Sequence, residues 1–303
     1  MGLGEFIKNI RIQKGISQAE ACMNATSQSN FSKFELEKIE LSANSLFTII
    51  YNLDLSLEEF CILYEKEFKN ETNEIITKFL SLSANQPNEL IYIRNRAINY
   101  LKETKVEHPT LYNVIQLSYA LESIAKEEKY DKAISLALPI WSKLQKRDRW
   151  YIREITLLNN ILYIFPFETA EEILKRSINI LKEYPSTKSI TSLQLNLYIN
   201  ISLLSIKSKD FTKAVGYLNL AIKHANQLPF IFYKKISQMR LAYCKANLAE
   251  HFEEDLMSIV MYFASTNSLS IYEQLKGEAE KYCTNTDFLL TLGKCEQKVK
   301  ALL

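Results

Sequence analysis

The segment Ile16–Glu37, ISQAEACMNATSQSNFSKFELE, carries two helix starts ten residues apart. Ser17 stands three residues before Glu20, so hydroxyl and carboxylate can each cap the other's free backbone amide, with Ile16 as an apolar staple outside the cap. Ser27 caps a second helix. On it Phe31 and Phe34 share one face, while Gln28, Ser29, Asn30, Ser32 and Lys33 point away from it. Two short helices joined by a tight turn, the second anchored by aromatics and rich in small polar side chains at its start, have the spacing of a helix-turn-helix.

The flanking sequence completes a small domain. In LGEFIKNIRIQKG, residues 3–15, the stripe Leu3, Phe6, Ile7, Ile10 makes one helix, which Gly15 ends. Arg11 of that helix is placed to pair with Glu35. Downstream, Leu46, Ile49, Ile50 and Leu53 form a fourth stripe, and Ser56 with Glu59 gives a capping box to a fifth helix. These five helices define a domain over residues 1–66. Gln28 and Asn30 have the amide chemistry that pairs with adenine edges, Ser29 and Ser32 can bond bases or phosphates, and Lys33 reaches phosphate or guanine. Gln18, at a helix start, is placed to hold a phosphate with help from the helix amides.

The stretches GEFIKNIRIQKGISQAE, SQSNFSKFE and NLDLSLEEF resemble the N-terminal domain of the Rgg/GadR/MutR transcriptional regulators, within the wider RRNPP group of peptide-pheromone receptors. The resemblance implies a lambda-repressor-like helix-turn-helix, with Gln28, Ser29, Asn30, Ser32 and Lys33 on the recognition helix and Gln18 at a phosphate. One departure is specific. The family usually places Arg-Gly after the glutamate matching Glu35, and here Leu36-Glu37 stands instead, so the recognition helix must turn without glycine. Up to Glu65 there are five basic residues (Lys8, Arg11, Lys14, Lys33, Lys38) and nine acidic ones (Glu5, Glu20, Glu35, Glu37, Glu40, Asp54, Glu58, Glu59, Glu65), a net of −4. Affinity for DNA must then rest on a few well-placed groups, with dimerisation supplying a second half-site.

Residues 67–303 carry apolar stripes in pairs. First helices are expected from Pro109, Arg147, Lys188 and Pro229, spaced 38, 41 and 41 residues, each followed by a second helix such as KYDKAISLAL from Lys129 or DFTKAVGYLNLAI from Asp210. These second helices resemble those of tetratricopeptide repeats, where a small Ala packs on the neighbouring helix. A period near 40 built of two helices indicates an α-solenoid with a concave face made from the first helices.

Such faces bind extended peptides, and Asn can bond a peptide backbone as donor and acceptor. The register of DFTKA places Asn196 and Asn200 on the groove side, with Asn159 or Asn160 and Arg240 near it in flanking repeats. Arg149 and Arg153, taken as one helical turn apart, are carboxylate clamps, Arg153 the leading one. RRNPP receptors use inner-helix asparagines in this way, so the resemblance implies a short peptide ligand. Trp141, Trp150, Tyr151, Tyr163, Phe165 and Phe167 cluster in one repeat and are mostly expected in the core.

Composition excludes several alternatives. Six Gly and six Pro in 303 residues argue for an all-α chain, and a net charge of +2 rules out wholesale coating of nucleic acid. The five cysteines lack C-x-x-C spacing and read as reduced thiols. No basic-then-apolar leader opens the sequence and no apolar run is long enough for a bilayer, so a cytoplasmic protein without membrane contact is expected. No nucleotide loop, zinc-protease helix or nucleophile elbow is present, and His108, His224 and His251 are far apart. The expectation is a homodimeric, cofactor-free regulator of double-stranded DNA, not an enzyme. The alternatives are a regulator without peptide ligand and an adaptor that sequesters a signalling partner.

Overall fold

The computed structural model describes residues 2–82, 87–127, 130–227, 230–252, 256–266 and 268–302, and every regular element among them is helical. The helices are α1 Leu3–Gln13, α2 Gln18–Ala21, α3 Gln28–Glu35, α4 Ala43–Asn52, α5 Leu57–Glu67, α6 Glu71–Leu80, α7 Pro87–Thr104, α8 Pro109–Glu127 and α9 Tyr130–Leu144. They continue as α10 Ile152–Ile161, α11 Phe167–Leu181, α12 Lys188–Lys207, α13 Phe211–Gln227, α14 Ile231–Asn247, α15 Leu256–Ser265, α16 Leu269–Tyr282 and α17 Thr286–Leu302. The chain divides into two compact units, Met1–Glu74 and Ile75–Leu303.

In the first unit Ile7, Phe31, Ile49, Ile50 and Leu53 are almost wholly withdrawn from water and hold α1, α3 and α4 together. The caps form as the sequence indicates. Ser17 and Glu20 make a reciprocal box, and Ser27 accepts from the Asn30 amide at 3.2 Å. Ser56 accepts from Glu59 N at 3.0 Å, the serine half of the expected box.

Helix α3 ends without glycine. Glu37 takes the left-handed conformation, φ +60°, its N–H donating to Phe34 O at 2.8 Å while Lys38 N donates to Lys33 O at 2.9 Å. These paired bonds close a Schellman turn, and they offset a left-handed strain of about 1–2 kcal/mol for a residue bearing Cβ. Asp54, Lys209 and Ala249 end α4, α12 and α14 with the same pair of bonds, also at positive φ. Glycine is scarce because other residues serve at these helix ends. Gly4 is different: α1 crosses α3 so closely that a Cβ there would lie 1.9 Å from Phe34 O.

In the second unit α8 packs on both α7 and α9, α10 pairs with α11, α12 with α13 and α14 with α15, α13 lies between α12 and α14, and α17 packs on α15. Ala133, Ala137, Ala214 and Ala221 are fully buried on the second helices α9 and α13, which lets neighbouring backbones approach. The expected helix starts at Lys129 and Pro229 lie outside the described residues. Trp141, Trp150 and Phe165 are core, as expected, whereas Tyr151 is exposed. All five cysteines are free thiols.

One expectation is corrected. Arg149 and Arg153 do not share a helical turn, because α10 begins only at Ile152. Trp150 is drawn into the core with its indole N–H donating to Leu144 O at 2.8 Å, and Tyr151 N donates to Glu154 Oε2 at 3.0 Å, which starts the helix five residues after Arg147.

Candidate nucleic-acid interface and groove residues

Helix α3 is held from beneath and open above. Phe31 and Phe34 are buried, Gln28, Ser29, Asn30 and Lys33 are exposed, and Ser32 is half-buried. The seat is Glu35, only 3% exposed, whose carboxylate receives Arg11 Nε at 2.6 Å, Arg11 Nη2 at 3.0 Å and Gln18 Nε2 at 2.6 Å. Arg11 Nη1 also donates to Ile16 O at 2.8 Å. A buried carboxylate is tolerated when charge and lone pairs are both met, and here a planar guanidinium supplies two parallel bonds. The cluster ties α1, α2 and α3 into one body. It also orients Gln18, one of whose amide hydrogens is committed to Glu35.

In the second unit the first helices α10, α12, α14 and α16 lie side by side. Their polar contacts repeat at the sequence period. Asn200 Nδ2 donates to Asn159 O and Oδ1, both at 3.1 Å, and Arg240 Nη1 donates to Ile199 O at 3.3 Å, each pair 41 residues apart. Arg240 also makes a two-pronged ion pair with Glu278, Nε to Oε2 at 2.8 Å and Nη2 to Oε1 at 2.9 Å. Burial opposes the charge on Arg240, but Glu278 outweighs it and the guanidinium pKa is raised. Arg240 therefore acts as a tie between α12, α14 and α16, buried in the wall.

The remaining groove candidates are distributed unevenly. Asn159 is buried, and Asn160 Nδ2 donates to Leu80 O at 3.1 Å. Asn196 is half-buried one turn before Asn200, and Arg153 is exposed on the first turn of α10. Arg149 pairs with Glu183 at 2.7 Å and borders a groove of ≈ 800 Å³ lined mainly by α11, including Glu171, Lys175 and Arg176. It is thus grouped with a second helix, apart from the asparagines. Glu278, which decides the state of Arg240, had no sequence signal, since nothing in a 38-residue separation marks the two as partners.

Among the described residues no group of His, Cys, Asp or Glu could hold a metal ion, and no helix is long and apolar enough to cross a membrane.

No protein-family model and no curated protein matches the chain. Solved structures do. Bacillus thuringiensis PlcR, in complex with the peptide PapR7 and DNA, aligns with TM-score 0.65 at 17% identity over 90% of this chain and 98% of its own. The Streptococcus dysgalactiae SHP pheromone receptor Rgg2 (C45S) gives TM-score 0.69 at 17% identity over 93% and 99%. A chain from Listeria monocytogenes EGD-e gives 0.76 at 16% identity over 92% and 97%. The protein thus has an all-helical fold, a helix-turn-helix unit and a helical-repeat unit, shared over about nine-tenths of its length with PlcR and Rgg2.

Proposed function

We propose that the chain is a DNA-binding transcriptional regulator of the RRNPP type, controlled by a short peptide. The observation that carries the DNA half is the row Gln28, Ser29, Asn30 and Lys33 exposed on α3 above the buried Glu35 seat. A helix fixed by its lower face and open along its polar start is what major-groove reading requires. PlcR, of the same fold, is a complex with both peptide and DNA. Residues 1–66 form the DNA-binding domain in this reading, and residues 67–303 bind the peptide and dimerise.

Asn196 and Arg153 are the accessible peptide contacts. Asn159, Asn200 and Arg240 shape the wall behind them, with Asn160 at its edge and Arg149 outside it. Regulation follows if the peptide binds one arrangement of the two DNA-binding heads better than another; a ligand with equal affinity for both would switch nothing. The protein works in the cytoplasm as a homodimer and performs no catalysis.

The test is a titration of the protein against fluorescent DNA from upstream of its own gene at two salt concentrations, with and without Gln28→Ala. Salt-sensitive specific binding that the variant loses, at about 1–3 kcal/mol for a two-pronged base contact, supports the reading. Equal, weak binding of any DNA by both proteins would overturn it and favour the adaptor.

A further inference from the structure

Helix α2 spans four residues, far below the length at which a helix persists on its own, so its end and the turn after it must be held from outside. That turn runs Cys22–Thr26 with Asn24 in the left-handed conformation, φ +60°. The last carbonyl of α2 and two of the turn are taken by side chains of α4. Asn52 Nδ2 donates to Ala21 O at 2.9 Å and to Met23 O at 2.8 Å, and Ser45 Oγ donates to Ala25 O at 3.0 Å. Ser45 and Asn52 are seven residues apart, two helical turns, and so lie along one face of α4. Ser45 is itself fixed at the α4 start, its N–H donating to Ser42 Oγ at 3.1 Å.

The contact is therefore a rail. The amide of Asn52 donates to the last carbonyl of α2 and to Met23 O in the turn, and Ser45 holds the last carbonyl before Thr26 and the α3 cap at Ser27. Ala25 N and Thr26 N close the turn locally on Cys22 O at 2.9 and 3.1 Å, and Gln18 ties α2 to Glu35 of α3; what the rail adds is the hold of the turn against α4, and with it the tilt of α3 on the domain.

We infer that Asn52, with Ser45 as its support, is a positioning residue for DNA reading: it sets the angle at which α3 presents Gln28, Ser29 and Asn30, although neither residue lies on α3. This rests on the DNA-binding reading above. A contact that serves stability alone would lower the melting temperature and leave the preference for specific over random DNA untouched. A contact that sets the reading angle must change that preference.

The experiment compares the full-length protein with Asn52→Leu, of the same branched shape, and Asn52→Asp, close in volume, both without the amide donor, and with Ser45→Ala as a milder variant. Affinities for the upstream DNA and for random duplex of the same length are measured below the onset of thermal unfolding, with circular dichroism confirming that each protein is folded. Backbone ¹⁵N–¹H spectra report on residues 28–33. Asn52→Leu should weaken specific binding about tenfold while random-duplex binding stays within about twofold, and the amide signals of Gln28–Lys33 should move. Asn52→Asp should lose at least as much, and Ser45→Ala about threefold.

An unchanged ratio of specific to random binding in Asn52→Leu and Ser45→Ala, with only the melting temperature lowered, overturns the inference. Gln28→Ala measured alongside separates the two failures. If Gln28→Ala and wild type behave alike, the DNA-binding reading itself has failed; if Gln28→Ala loses binding and the α4 variants do not, only the rail has failed.

Discussion

Substituting alanine for glycine should have opposite signs at different helical positions of this chain, and Gly4 is the position where it should harm. A methyl on Gly4 would lie 1.9 Å from Phe34 O, 2.9 Å from Phe34 C and 3.3 Å from Glu35 Cα, all backbone atoms of α3. None can rotate away, so α1 must withdraw by roughly 1.5 Å to reach ordinary contact. Phe34 O also accepts the Glu37 N–H that closes the α3 turn. Overpacking of this kind costs about 1–3 kcal/mol, against a gain of at most about 1 kcal/mol for alanine in a helix, so the first unit should lose about 1–2 kcal/mol. At roughly 4–8 °C per kcal/mol for a domain of this size, its melting temperature should fall by about 5 °C or more.

Gly216, Gly277 and Gly293, on α13, α16 and α17, have nothing within 4 Å of a built Cβ. Alanine at each should stabilise the second unit by about 0.5–1 kcal/mol. Thermal unfolding followed by circular dichroism, with urea unfolding as a check, reads both signs. A Gly4→Ala protein as stable as wild type would refute the close crossing of α1 and α3.

Other perturbations have equally definite signs. Arg240→Ala strips the half-buried Glu278 of its two-pronged ion pair, leaving it the Gln274 amide at 3.5 Å, and should cost up to about 3–5 kcal/mol, whereas Arg240→Met with Glu278→Leu should recover most of it; urea midpoints decide. Ala249→Gly relieves a left-handed alanine, φ +57°, and should add about 1 kcal/mol in the same assay. Burial, with help from the charge of Lys223, holds His224 below its ordinary pKa of 6.5. The unfolded chain therefore takes up the proton first, and stability should be lost as pH falls below about 6.5. A melting series from pH 7.5 to 5.5 should show this loss and His224→Gln should reduce it. Glu171 is held below its ordinary 4.5 by hydrogen bonds from Lys175 and Tyr217, so its contribution is present above 4.5 and is lost only at lower pH.

The periodicity of Leu3–Ile10, the caps at Ser17, Ser27 and Ser56 and the paired stripes beyond residue 67 were sufficient to read an all-helical chain with a helix-turn-helix followed by repeats, because capping and amphipathic spacing are local properties of consecutive residues. The pairing of Arg11 with Glu35 was also legible, since helix spacing within a small domain leaves few partners for a buried acid. What lay beyond the sequence depends on atoms brought together from far along the chain. The left-handed Glu37 is tolerated because two backbone bonds close around it, and Gly4 matters because α3 happens to pass there. Arg240 was read as a groove residue, but folding places Glu278 against it, and the bonds of Asn52 to the turn leave no trace in the sequence. Propensity acts on neighbours in sequence, whereas the burial of a charge and the satisfaction of a carbonyl are settled only by tertiary packing, and it is there that the exposed polar face of α3 and the wall of the repeat unit acquire their geometry.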